Sequence, residues 1–100
     1  MRCGSPEETR VLRWVSEKAR ELVAAKRVIL FGSRARGDAE DRSDFDLAVE
    51  TEQPQRLGEL KELLEENPLT LLAFDVVCLS EVSPAFRERI LREGKDITTL

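Results

Sequence analysis

A chain of 100 residues, 41% hydrophobic and 36% charged, has the size and composition of one compact folded domain rather than of a disordered segment. No run approaches the roughly 18 consecutive apolar residues of a membrane span, and Met1-Arg2-Cys3-Gly4-Ser5-Pro6 lacks the apolar stretch of a secretory signal, so a cytoplasmic protein is expected. The absence of histidine, with only Cys3 and Cys78 as thiols, excludes Cys/His zinc sites and histidine acid–base schemes, and a net charge of -4 argues against a grip on long nucleic acid.

The chain reads as a single domain over residues 1–100, with an N-terminal helix within 1–26 and a core over 27–100. Ser5-Pro6-Glu7-Glu8 has the form of a capping box: an N-cap serine, proline in the first turn and glutamate three residues on. Leu12, Val15, Ala19, Leu22 and Val23 then repeat at three and four, which predicts one buried stripe, and Lys26-Arg27 would close the helix with positive charge. Trp14 lies off the stripe and is either a partly covered packing residue or a contact with a partner subunit.

Arg27 to Phe31 is a β-favouring run that stops at Gly32-Ser33, as a buried strand meeting a tight turn does. The polar stretch Arg34 to Ser43 predicts a short helix or turn and a loop, and Asp44 to Val49 a second strand. Pro54 to Glu66 carries Leu57, Leu60, Leu63 and Leu64 on one helical face and stops at Asn67-Pro68. A third strand is expected over Leu71 to Leu79, then a helix capped by Ser83-Pro84, with Phe86, Ile90 and Leu91 on its apolar side and Gly94 at its end. Asp96 to Leu100 would add a short edge strand. Alternating strands and helices define an α/β (α+β) fold, a small mixed sheet with helices packed on it.

The chemistry concentrates in Gly32-Ser33, ten further residues, and Asp44-Phe45-Asp46. A glycine after a strand permits a sharp turn and close approach of a phosphate, to which the serine hydroxyl and following amides can donate. Arg34 and Arg36 just beyond could clamp phosphate oxygens. On a strand, Asp44 and Asp46 leave the same face with Cα atoms roughly 6–7 Å apart, and Asp75 on a neighbouring strand would complete a set of hard oxygen ligands suited to Mg²⁺. Because Asp75 interrupts an apolar run, it is expected to be buried, where an unpaired carboxylate costs several kcal/mol. A metal or an arginine must then compensate it.

The segment from Gly32-Ser33-Arg34-Ala35-Arg36-Gly37 through Ser43-Asp44-Phe45-Asp46-Leu47-Ala48-Val49 resembles the signature of the minimal nucleotidyltransferases of the DNA polymerase beta superfamily. The resemblance implies two Mg²⁺ ions held by Asp44, Asp46 and Asp75, a triphosphate held at Gly32, Ser33, Arg34 and Arg36, and transfer of AMP from ATP to a hydroxyl. Asp38, Asp41 and Asp96 stay open as alternatives for the third carboxylate. It further implies the antitoxin half of a two-protein system, with a helical HEPN-domain toxin as partner in a hetero-oligomer and a tyrosine of that toxin as acceptor. The chain itself has no tyrosine. Two other readings stay open: a non-catalytic module that neutralises the partner by masking it, and transfer to a small molecule or an RNA end.

Overall fold

The computed structural model of the protein describes residues 6–37, 44–67, 69, 70 and 72–100. Helix α1 (Pro6–Val23) leads into strand β1 (Arg27–Phe31), the short helix α2 (Ser33–Arg36) and strand β2 (Phe45–Glu50). A 3-10 turn over Pro54–Arg56 opens helix α3 (Leu57–Glu65), followed by β3 (Phe74–Cys78), helix α4 (Pro84–Glu93) and β4 (Lys95–Asp96). The sheet order is β3-β2-β1-β4, with β1 antiparallel to β2 and β4 and β2 parallel to β3. This is the mixed sheet expected from the sequence; the parallel pair is joined by a crossover through α3, since a tight hairpin cannot join parallel strands.

Strand alternation sorts the side chains onto two unequal faces. Val28, Leu30, Phe45, Leu47, Val49, Val76 and Cys78 form the main core with Val11, Leu12, Val15, Ala19 and Val23 of α1 and Leu57, Leu60 and Leu64 of α3. On the other face a smaller cluster gathers Ile29, Ala48, Leu79 and Ile90 of α4. Two helices therefore shield one face and a single helix part of the other, which leaves that second face accessible where β2 and β3 begin. Trp14 is half-buried and packs against the main core.

Several boundaries move for tertiary reasons. Helix α1 ends at Val23 rather than 26, because Ala24 takes a left-handed φ of 51° and the Thr51 hydroxyl donates to the Val23 carbonyl. Lys26 thereby leaves the helix, its N–H bonding Glu50 O at 2.7 Å, and Arg20 is the basic residue of the last turn. Ser5 lies outside the described residues. Strand β3 starts at Phe74 because Asn67 Oδ1 accepts from the amides of Leu69 and Thr70, at 2.9 and 3.0 Å, and Thr70 Oγ1 from that of Leu72, at 3.1 Å. Such side-chain bonds to backbone hold a loop where apolar composition alone suggests a strand.

Helix α4 is capped as expected, with Ser83 Oγ accepting from Phe86 N at 3.2 Å. Its apolar side is narrower than expected: Ile90 is buried, whereas Phe86 and Leu91 are 36% and 43% exposed. Gly94 ends the helix with an ordinary φ of -80°, so space is what requires it; a β-carbon there would stand 2.5 Å from both Ile29 Cγ2 and the Ile90 carbonyl oxygen. Among the described residues no helix is long and apolar enough to cross a membrane.

Candidate active site

The end of β1 and the starts of β2 and β3 meet at one edge of the accessible face. Backbone pairing sets Phe31 opposite Asp46, and Asp46 beside Asp75, so three strands bring these positions into line. After Phe31, Gly32 turns the chain at φ 75° and ψ -155°, a region essentially reserved for glycine. The amides of Ala35 and Arg36 both return to the Gly32 carbonyl at 3.1 Å, which winds α2, and Gly37 at φ 81° ends it by donating to Ser33 O.

Gly32 has a second reason to be glycine. A β-carbon on it would overlap the Asp46 carboxylate, meeting Oδ2 and standing 3.2 Å from Cγ. The turn and the carboxylate thus share one small volume. Asp46 is half-buried there, and its carboxyl is held above the usual carboxylate range, first by desolvation and then by the charges of Asp75 and Asp44, with Arg36 opposing. The Asp46 carboxylate therefore feels both neighbouring aspartates, and a cation beside it would relieve the repulsion.

Asp75 departs from the expectation of burial. Val76 and Cys78 turn into the main core, whereas Asp75, one residue out of phase with them, is exposed on the other face, as is Asp44. Burial therefore places no demand for a counterion on Asp75. What places it beside Asp46 is strand register. Among the described residues no group of three or more carboxylates or thiols is already gathered to hold a metal ion, so the arrangement is looser than the tight trio anticipated.

The remaining predicted positions separate. Ser33 is half-buried in the first turn of α2. The Arg36 side chain is 41% exposed, 3.9 Å from Glu93 Oε1, and its charge acts on Asp46. Arg34 Nη1 instead lies 2.7 Å from Glu8 Oε2 of α1, and its guanidinium carbon 4.3 Å above the centre of the Phe45 ring. Asp96 is on β4, with β1 and β2 between it and Asp75, and accepts from the amide and hydroxyl of its own turn residue Thr98. Asp38 and Asp41 lie outside the described residues.

Sequence reasoning missed a cleft of about 160 Å³ beside the turn, walled by Phe31, Gly32, Arg36, Phe86, Arg89 and Glu93. Phe86 meets Phe31 edge-on, ring centres 5.6 Å apart. Helical periodicity had assigned Phe86 to the core, and no local signal distinguishes a core phenylalanine from one lining a cleft.

A mixed sheet with acidic residues at the starts of two neighbouring strands, beside a strand-to-helix glycine turn, is the arrangement that the resemblance to nucleotidyl-transferring enzymes implies. Residues 15–99 match the family described as polymerase beta, nucleotidyltransferase, and the chain belongs to that family. It is 34% identical over 73 residues to the Methanocaldococcus jannaschii protein MJ0435, described as a candidate protein adenylyltransferase, covering 72% of this chain and 78% of that one. A solved structure described as a candidate minimal nucleotidyltransferase superimposes with a TM-score of 0.65 at 36% identity, over 87% of this chain and 93% of the other. The fold alone is shared with a toxin–antitoxin assembly holding AMP-PNP, at TM-score 0.71 and 22% identity over 89% and 71% of the two chains. The same holds for the complex of a tri-AMPylated Shewanella oneidensis HEPN toxin with its MNT antitoxin, at 0.58 and 20% over 86% and 71%. The protein is thus a minimal nucleotidyltransferase.

Proposed function

We propose that this nucleotidyltransferase transfers AMP from ATP to a tyrosine hydroxyl of a helical HEPN-domain toxin and thereby acts as its antitoxin. The observation that carries the reading is the alignment of Phe31, Asp46 and Asp75 across three strands, which sets the Gly32 turn against the Asp46 carboxylate, with Asp44 on the same edge. An ATP analogue in one fold relative and an AMPylated toxin in another support the choice of nucleotide and partner.

The donor set fits divalent cations. Aspartate oxygens are hard ligands, and Mg²⁺ is commonly bound by one or two carboxylates together with substrate phosphates, so a preformed protein cage is not required. Asp44, just before β2, and Asp46 within it would hold the ions together with Asp75 of β3; when bound, the ions supply charge neutralisation on the triphosphate and a more acidic acceptor hydroxyl. The Gly32-Ser33 turn receives the triphosphate tail, with the Ser33 hydroxyl and Arg36 donating to its oxygens. The tyrosine oxygen attacks the α-phosphorus, the bond to the α–β bridging oxygen breaks, pyrophosphate leaves, and Asp75 accepts the tyrosine proton. Such catalysis is mainly positioning and electrostatics.

The test is to incubate the protein with ATP, Mg²⁺ and a HEPN partner and to weigh the intact partner by mass spectrometry. Added adenylyl groups that localise to tyrosine, and vanish with Asp44→Asn plus Asp46→Asn, are the expected result. An unmodified partner whose toxicity the double variant still suppresses would overturn transfer and leave masking as the mode of neutralisation.

A further inference from the structure

The three aspartates occupy one side of the sheet, and directly behind them on the other side runs a row of side chains that transfer chemistry does not use. Phe45, between Asp44 and Asp46 in sequence, turns into the main core and is 2% exposed. Its ring stacks on that of Phe74, the residue before Asp75, with centres 5.2 Å apart and planes 17° from parallel. Phe45 and Phe74 are register partners, as are Asp46 and Asp75 one step along. A strand slip that broke the ring pair would part the carboxylates and, by the two-residue period of a strand, turn alternate residues to the wrong face.

The far end of the row is charged. The Arg34 guanidinium lies over the Phe45 ring at 4.3 Å and is bound at 2.7 Å by Glu8 of α1. Only 10% of either charged side chain is exposed, so water screens the pair weakly and its geometry is restrictive. Arg34 is also the second residue of α2, two positions after the glycine that shares its volume with Asp46. One side chain therefore touches the N-terminal helix, belongs to the turn beneath the triphosphate position, and covers the ring that separates Asp44 from Asp46.

We propose that Arg34 is a positioning residue: with Glu8 it clamps the Phe45–Phe74 stack from behind the sheet and so fixes the spacing of Asp44, Asp46 and Asp75. This rests on the proposed role of those carboxylates as cation ligands and replaces the expectation that Arg34 binds phosphate. The two assignments differ in what Glu8 does. As a phosphate ligand, Arg34 would be released by Glu8→Gln and would bind ATP more tightly; as a clamp, it would be loosened and the carboxylates with it.

The experiment uses the full chain with Glu8→Gln, Arg34→Met, Arg34→Lys and the Glu8→Gln/Arg34→Met double variant. Three quantities are read: Mn²⁺ affinity by electron paramagnetic resonance, ATP affinity in EDTA, and hydrogen exchange at the Phe45 amide, which donates to Ala73 O at 3.0 Å. Glu8→Gln and Arg34→Met should each weaken Mn²⁺ binding roughly tenfold, as loss of supporting contacts behind metal ligands does. The double variant should be no worse than either single one, Arg34→Lys should restore part of the loss, and ATP affinity in EDTA should hold within about twofold, too little to count as a lost phosphate contact. Exchange at Phe45 should quicken in both single variants while the α1 amides stay protected. Unchanged exchange at Phe45, or tighter ATP binding in Glu8→Gln, would overturn the clamp. Wild-type protein that binds no Mn²⁺ would instead remove the metal role of the aspartates, and the exchange result would still decide whether Arg34 clamps the strands.

Discussion

Gly32 and Asp46 are packed so closely that the hydrogen on the glycine α-carbon occupies the space in which any larger residue would strike the carboxylate. The glycine that lets the chain turn also lets the aspartate stand at the turn. Substitution at one is therefore felt at the other.

Gly32→Ala is expected to lower stability by about 1–3 kcal/mol, from its φ of 75°, and to reduce transfer to background by displacing Asp46. Thermal melting and the adenylylation assay read the two effects. Adding Asp46→Ala should recover part of the lost stability and none of the activity. Recovery of neither would mean that the clash is not with the Asp46 carboxylate.

Asp46 links stability to pH with a definite sign. Its folded-state pKa is raised above 3.8, so between the two values the folded chain holds more protons than the unfolded one. This group's contribution to stability then falls as pH rises through the window. Asp46→Asn should melt higher than the wild type at neutral pH without metal, by a few degrees at most because partly exposed charges are screened. The difference should vanish below the ordinary aspartate pKa. Metal binding should run the opposite way, weakening as pH falls through the raised value, since the ligand is the carboxylate. A variant melting below wild type at neutral pH would contradict the repulsion.

Asp75 and Asp96 form a contrasting pair. Asp75→Ala removes an exposed side chain and should change stability by less than about 0.5 kcal/mol while lowering transfer by roughly 10²-fold or more, the usual effect of losing a proton acceptor. Asp96→Ala removes the acceptor for Thr98 and should cost about 1 kcal/mol with transfer unchanged. Reversal of this pattern would move the third carboxylate to the opposite edge of the sheet.

Gly94→Ala tests packing where no backbone strain is present. Its β-carbon would press on Ile29 and on the Ile90 carbonyl, and backbone cannot swing aside as a long side chain does. A loss of about 1–3 kcal/mol is expected, and each kcal/mol lowers the melting temperature by about 4–8 °C in a domain of this size. An unchanged melting curve would show that α4 can shift across β1.

Helix α3 and the serine cap of α4 were legible in the sequence because local periodicity and a cap act over a few residues. The Gly32-Ser33 turn and the Asp44/Asp46 spacing were legible for the same reason, and with them the resemblance to the family. Leu72 and Ala73 read as strand because apolar content does not reveal that Asn67 and Thr70 bind the backbone just before and at that point. The exposure of Asp75 was misread because a run of apolar neighbours conceals which parity of a strand is covered.

Sequence alone determined that this chain folds as alternating helices and strands and places two aspartates on one face after a glycine turn, since each follows from backbone geometry within a short segment. Only tertiary structure decided that Asp75 pairs beside Asp46, that one sheet face is left accessible, and that Arg34 answers Glu8. Those outcomes join residues 26 or more positions apart, and no local period encodes which distant side chain will fill a given volume or neutralise a given charge.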